Sequence, residues 1–180
     1  LEYAKPPVMD DLASRSEVGL ACTIPEGMKP GSDTANLAVL GYNPRQYYTG
    51  RSPLEALSIG VDMKEDDIAL RTNLVTLSEE EESYEDKRIL DHSSDEISTG
   101  DAAVLLDAVR RELEDDIYHF YVGTSYRHLL IWSKGSVAEL TPPHDVLGQR
   151  AGAHLPADEK LRAMQIKSYE ILSKHPINLE

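Results

Sequence analysis

Ile68-Ala69-Leu70-Arg71-Thr72-Asn73-Leu74-Val75-Thr76-Leu77 alternates along its length. Ile68, Leu70, Thr72, Leu74 and Thr76 fall on one face, with Arg71, Asn73 and Val75 on the other, the period of a half-buried strand. The acidic run at 79–82, with Glu85 and Asp86, then reads as the solvated tip of a hairpin that returns through Arg88-Ile89-Leu90-Asp91. Thr99 is expected to cap a helix reaching about residue 115, whose apolar stripe is Ala102, Leu105, Leu106, Val109 and Leu113. Residues 117–122 and 126–132 read as further strands around Gly123, and 137–140 as a short one. A last helix is expected over 157–174, with Leu161, Met164, Ser168, Ile171 and Leu172 inward and Pro176 stopping it. The order β-β-α-β-β-α predicts an α+β sandwich, two helices on one face of a small, largely antiparallel sheet.

Upstream the texture differs. Residues 1–60 are rich in Gly, Pro and small polar residues, with short helical pieces at 9–16 and after Pro30-Gly31, where Ser32 or Asp33 is the expected N-cap. Gly41 is placed to close that helix. Ser52-Pro53-Leu54-Glu55 has the form of a capping box opening a helix over 53–59. The abrupt beginning at Leu1 and the ending at Glu180, just past the helix-stopping Pro176, suggest a piece of a longer chain.

Composition narrows the function. The 180 residues carry 18 Lys and Arg against 32 Asp and Glu, a net charge of −14, which argues against nucleic acid as a partner. Any phosphate-bearing ligand must be held by a few local Arg, His or helix N-termini. Cys22 is the single cysteine, so no intrachain disulfide or Cys-based zinc cluster is available and a reducing compartment is expected. No apolar run approaches the roughly 18 residues of a membrane span, and a cytoplasmic protein is the expectation.

Among chemistry-bearing residues, Ser32 stands where a helix begins, so helix amides could stabilise an alkoxide or a phosphate on it; an ordinary N-cap has the same look. Asn36, one turn on, shares its side of the helix. Arg71 and Asn73 share a strand face, which suits a two-point grip on an anion. Arg127 and His128 are adjacent in a strand and so point to opposite faces. Pro142-Pro143-His144-Asp145 is a rigid loop carrying a His-Asp pair, also consistent with a simple loop cap, and Asp91-His92 carries less signal still. No spacing matches a complete metal site, a Ser-His-Asp set or a Gly-rich nucleotide loop.

Pro25-Glu26-Gly27-Met28-Lys29-Pro30-Gly31-Ser32-Asp33-Thr34-Ala35-Asn36-Leu37 nevertheless resembles the archaeal-type cofactor-independent phosphoglycerate mutases. So do Tyr47-Tyr48-Thr49-Gly50-Arg51-Ser52-Pro53-Leu54-Glu55-Ala56, Arg71-Thr72-Asn73-Leu74-Val75-Thr76-Leu77, Ser125-Tyr126-Arg127-His128-Leu129-Leu130 and Leu140-Thr141-Pro142-Pro143-His144-Asp145, in the family's order. The resemblance implies an α/β protein: part of an alkaline phosphatase-like core over 1–60, followed by an inserted, substrate-covering α+β domain over 61–178. It implies that Ser32 is the nucleophile, phosphorylated by 3-phosphoglycerate and returning the phosphate to the 2-hydroxyl. Asn36, Arg71, Asn73, Arg127, His128 and His144 are then the expected contacts for substrate carboxylate and phosphate. Two divalent ions, manganese, magnesium or zinc, belong to the family's chemistry, and Ser32 is the one usual metal ligand found here. The family's Gly-Asp-Gly aspartate and its C-terminal aspartates and histidines are absent, so this chain alone is expected to hold no metal pair and not to turn over. Relatives commonly carry Gly-His where Asp95-Glu96 stand. Homoserine kinase and phosphonopyruvate decarboxylase assignments exist for proteins with this motif set, and a non-catalytic binding module is the reading from another class.

Overall fold

The computed structural model describes residues 3–136 and 139–178. The chain divides into two compact units, Leu1–Arg51 and Ser52–Glu180. The expected boundary near residue 60 falls later than this division because Ala56, fully buried, belongs to the core of the second unit.

The first unit is built from short helices: α1 (Pro7–Ser14), α2 (Ser32–Val39) and α3 (Pro44–Tyr47). The N-cap of α2 is Gly31, in extended conformation, and Ser32 is its first helical residue. The expectation of Ser32 or Asp33 as N-cap is thereby corrected. The Asp33 carboxylate accepts from the adjacent Thr34 N–H and from Tyr48, and Ser32 Oγ takes Arg51 instead of an amide. Gly41, at φ +89°, ends α2 as expected: its N–H donates to Ala38 and that of Tyr42 to Leu37. The next helix, α4 (Arg51–Ser58), begins two residues early. Ser52 therefore lies inside the helix and forms no capping box.

The second unit contains β1 (Ile68–Asn73), β2 (Thr76–Leu77), β3 (Ile89–Asp91), α5 (Thr99–Leu113), β4 (Tyr118–Thr124), β5 (Arg127–Trp132) and α6 (Glu159–Leu172). Strands β1, β5 and β4 form an antiparallel sheet in that order, while β2 and β3 pair separately. The expected strand over 68–77 is thus two strands. Its first part pairs with β5, from Ile68 opposite Trp132 to Asn73 opposite Arg127, and its second part pairs with the return of the acidic hairpin. Ser98, one residue before the expected Thr99, caps α5 by accepting from Asp101 N–H; Thr99 Oγ1 accepts from Ser125 N–H instead. Val137 and Ala138 of the expected short strand lie outside the described residues, and Glu139 and Leu140 are in no strand.

One face of the sheet carries Leu70, Tyr118, Phe120 and Leu130, packed against Leu106 and Val109 of α5 and Leu161 of α6, as the two-helix layer requires. The opposite face is also buried. Leu129 and Ile131 pack with Ala56 and Val61, with Met63 and Ala69 alongside. The continuous apolar run Leu129-Leu130-Ile131 serves both faces, so α4 adds a layer that the one-sided expectation lacked.

Candidate functional site

Two constellations of polar side chains stand out, one in each unit. In the first, the exposed Ser32 hydroxyl lies 3.3 Å from Nη2 of Arg51, which donates to it. Arg51 Nε is also 3.7 Å from the Asp33 carboxylate, which accepts a hydrogen bond from the Tyr48 hydroxyl. Partial burial pushes the Asp33 carboxyl up, but the hydrogen bonds from Tyr48 and Thr34 and the Arg51 charge outweigh it and leave it below its ordinary value. Burial, reinforced by that carboxylate, raises the Tyr48 phenol to about 12. Asn36 is exposed one turn beyond Ser32.

In the second unit, antiparallel register puts directly opposed residues on one face, so Asn73 and Arg127 are neighbours and Arg71 stands two residues along from Asn73. The three share the face on which α4 packs. Arg71 Nη1 lies 3.6 Å from Glu55 of α4, and its Nε is buried with no partner among the described residues. Asn73 Nδ2 reaches the carbonyl of His92 at 3.5 Å. The His92 ring meets Tyr126 edge-on at 5.8 Å between centroids and lies 6.1 Å from the ring of His144, while the Arg127 guanidinium stacks 5.3 Å over Tyr126. Asp91, held below its ordinary value chiefly by the N–H of Asp95, accepts from the Ser93 hydroxyl and sits 3.6 Å from His92.

Of the expected substrate contacts in this unit, the fold therefore brings together Arg71, Asn73, Arg127 and His144. His128 is not among them. It is 2% exposed on the opposite face of β5, and its Nδ1 accepts from Gly123 N–H at the point where the β4–β5 pairing slips. Burial lowers its imidazole to about 4, so it is neutral at pH 7. Its Nε2 and the Thr72 hydroxyl opposite it are both buried and have no partner among the described residues. The residues that sequence reasoning passed over are Tyr48, Arg51, His92 and Tyr126. For His92 the pairing with Asp91 was visible, but not its approach to His144.

Among the described residues no group of three or more His, Cys, Asp or Glu converges so as to hold a metal ion. The Asp33 carboxylate beside Ser32 is engaged by Tyr48 and Arg51. These residues do not compose the metal pair that the resemblance implies. No helix among the described residues is long and apolar enough to cross a membrane.

The chain is a mixed α/β protein with antiparallel sheets that carries an exposed serine on an arginine and, in its second unit, a sheet face with two arginines. The family profile described as 2,3-bisphosphoglycerate-independent phosphoglycerate mutase matches residues 13–178, and the chain belongs to that family. It is similar to the mutase of Methanosarcina acetivorans, at 42% identity over 185 residues that cover 100% of this chain and 45% of that protein. It is similar also to mutase 2 of Methanothermobacter thermautotrophicus, at 43% identity over 100% of this chain and 44% of that protein. The chain thus spans less than half the length of these relatives. Among solved structures, the cofactor-independent phosphoglycerate mutase from Thermoplasma acidophilum matches with a TM-score of 0.57 and 27% identity, over 84% of this chain and 42% of that one.

Proposed function

We propose that this chain is the nucleophile-bearing and substrate-covering part of an enzyme that interconverts 3-phosphoglycerate and 2-phosphoglycerate through a phosphoserine on Ser32. The observation that carries the reading is the exposed Ser32 hydroxyl, held by the Arg51 cation within a chain whose family is that of the mutases. Residues 1–60 are read as part of an alkaline phosphatase-like core and 61–178 as the inserted domain. Arg71, Asn73, Arg127 and His144 are assigned to carboxylate and phosphate contacts, joined by His92. Asn36 is assigned to the phosphate beside Ser32. His128, buried on the other side of β5, is given no substrate contact.

The family's divalent ions would supply positive field for the phosphoryl group, and their ligands must come largely from outside this chain, which alone does not turn over. A cytoplasmic location fits the expected reducing compartment. The relatives named above are mutases, and the kinase and decarboxylase readings find no support among them. The test is an enolase-coupled mutase assay with manganese on the full-length protein that carries this chain, wild type against Ser32→Ala. The expected result is turnover in the wild type and none in the variant. A folded, metal-loaded wild type without activity refutes the mutase reading.

A further inference from the structure

Tyr48 and Asp33 have no part in the assignments above and Arg51 enters them only as a contact of Ser32, yet the geometry of all three leads to the serine. Gly31 lacks a Cβ where the Asp33 carboxylate sits, so the carboxylate packs directly over the turn that carries Ser32. Tyr48, half-buried at the end of α3, donates its hydroxyl hydrogen to that carboxylate. The carboxylate in turn faces Nε of Arg51, while Nη2 of the same guanidinium donates to Ser32 Oγ. Arg51 follows Gly50, whose φ of +122° lies in the region that favours glycine, and opens α4. A guanidinium carries five N–H donors in a rigid plane and stays charged throughout the working pH range. With Nε 3.7 Å from the Asp33 carboxylate and Nη2 on Ser32 Oγ, the guanidinium is biased toward the serine and further donors remain for an oxyanion near Oγ.

We infer that Arg51 is a catalytic residue that binds the phosphoryl group as it passes to and from Ser32, with Asp33 and Tyr48 as the positioning residues that aim it. The inference rests on the phosphoserine reading of Ser32. In the first half-reaction the Ser32 Oγ–P bond forms as the donor's ester O–P bond breaks. The electron pair of the broken bond stays on the donor's hydroxyl oxygen, which ends with the proton that Ser32 loses. The second half-reaction reverses these changes at the neighbouring hydroxyl. Arg51 gains and loses no proton. It neutralises charge on the transferring oxygens in a chain whose net charge of −14 otherwise opposes an anion.

The test uses the full-length protein with manganese and follows both mutase turnover and phosphate on Ser32, by intact-mass and peptide mass spectrometry. 3-Phosphoglycerate and p-nitrophenyl phosphate serve as donors. Arg51→Ala is expected to lower kcat about 100-fold or more, with a matching loss in the rate of Ser32 phosphorylation from either donor. Arg51→Lys, which keeps the charge and loses the fork, should recover part of it. Tyr48→Phe should lower kcat about tenfold with KM for 3-phosphoglycerate little changed, a split that general loosening of the fold does not produce. Wild-type mutase activity with Arg51→Ala and Arg51→Lys both within twofold overturns the assignment of Arg51 and leaves the mutase reading standing. Absence of mutase activity, with Arg51-dependent labelling of Ser32 by p-nitrophenyl phosphate, does the reverse. No label on wild-type Ser32 from either donor overturns both.

Discussion

At the scale of single residues, what distinguishes the candidate contacts is whether burial leaves a polar group something to do. Arg71 keeps a buried Nε without a partner among the described residues, and Arg127, opposite Asn73, stacks on Tyr126. A charged hydrogen bond to a bound anion contributes about 1.5–3 kcal/mol, so Arg71→Ala or Arg127→Ala in the full-length enzyme should raise KM for 3-phosphoglycerate roughly tenfold or more. Steady-state kinetics at fixed ionic strength decide this, and unchanged KM in both variants removes them from the site. His128 makes a different prediction. The unfolded chain binds its proton below about pH 6.5, whereas the native chain does so only near 4. Stability should therefore be full above pH 6.5 and fall by about 3 kcal/mol as the pH drops to 4. Denaturant unfolding between pH 7 and 4.5 measures the slope, and His128→Leu should flatten it even though the variant loses the Gly123 hydrogen bond. An identical slope in both proteins would rule out His128 as the source.

At the scale of elements, the hairpin formed by β2 and β3 buries Ile89 and is tied besides by a lysine. Lys87 is 5% exposed and donates to the carbonyls of Ser78, at 3.0 Å, and Glu81, at 2.6 Å, with its ammonium 5.6 Å over the Tyr169 ring of α6. Lys87→Ala removes the donor and strands two carbonyls, and should cost about 2 kcal/mol. Hydrogen exchange should show the loss concentrated in residues 78–88; uniform acceleration across the second unit would contradict a local tie. The link from β4 to β5 is also local. A Cβ on Gly123 would collide with the Arg127 carbonyl, the same backbone that presents the Arg127 side chain. Such elements were legible in the sequence where a periodic apolar stripe dominates, as in α5. Their ends moved by a residue or two because caps are chosen by competition among neighbouring hydroxyls: Ser98 takes the Asp101 amide, leaving Thr99 for Ser125.

At the scale of the whole molecule, the two units differ in how much they bury. The helices of the first unit bury only Thr34 and Pro44 among their described residues, and Val8, Met9, Leu20, Val39 and Leu40 are exposed. The second unit has apolar clusters on both faces of its sheet. Residues 52–180 expressed alone should thus unfold in a single cooperative transition, and residues 1–51 alone should show none. Calorimetry and thermal circular dichroism on the two pieces test this. A cooperative melt from 1–51 would show that its short helices hold together without a larger core.

The residues alone carried the family, through long motifs such as the one around Ser32, and the order of strands and helices, through periods of 2 and 3.6 that follow from backbone geometry. They also carried the separation of Arg127 from His128, since neighbours on a strand face opposite ways. They did not carry the partnership of Arg51 with Ser32, nineteen positions away, or the meeting of His92 with His144 and Tyr126. Those depend on where loops and strand register bring distant chain segments. Contacts of that kind leave no period in the sequence, because they are fixed by the packing of the elements between them.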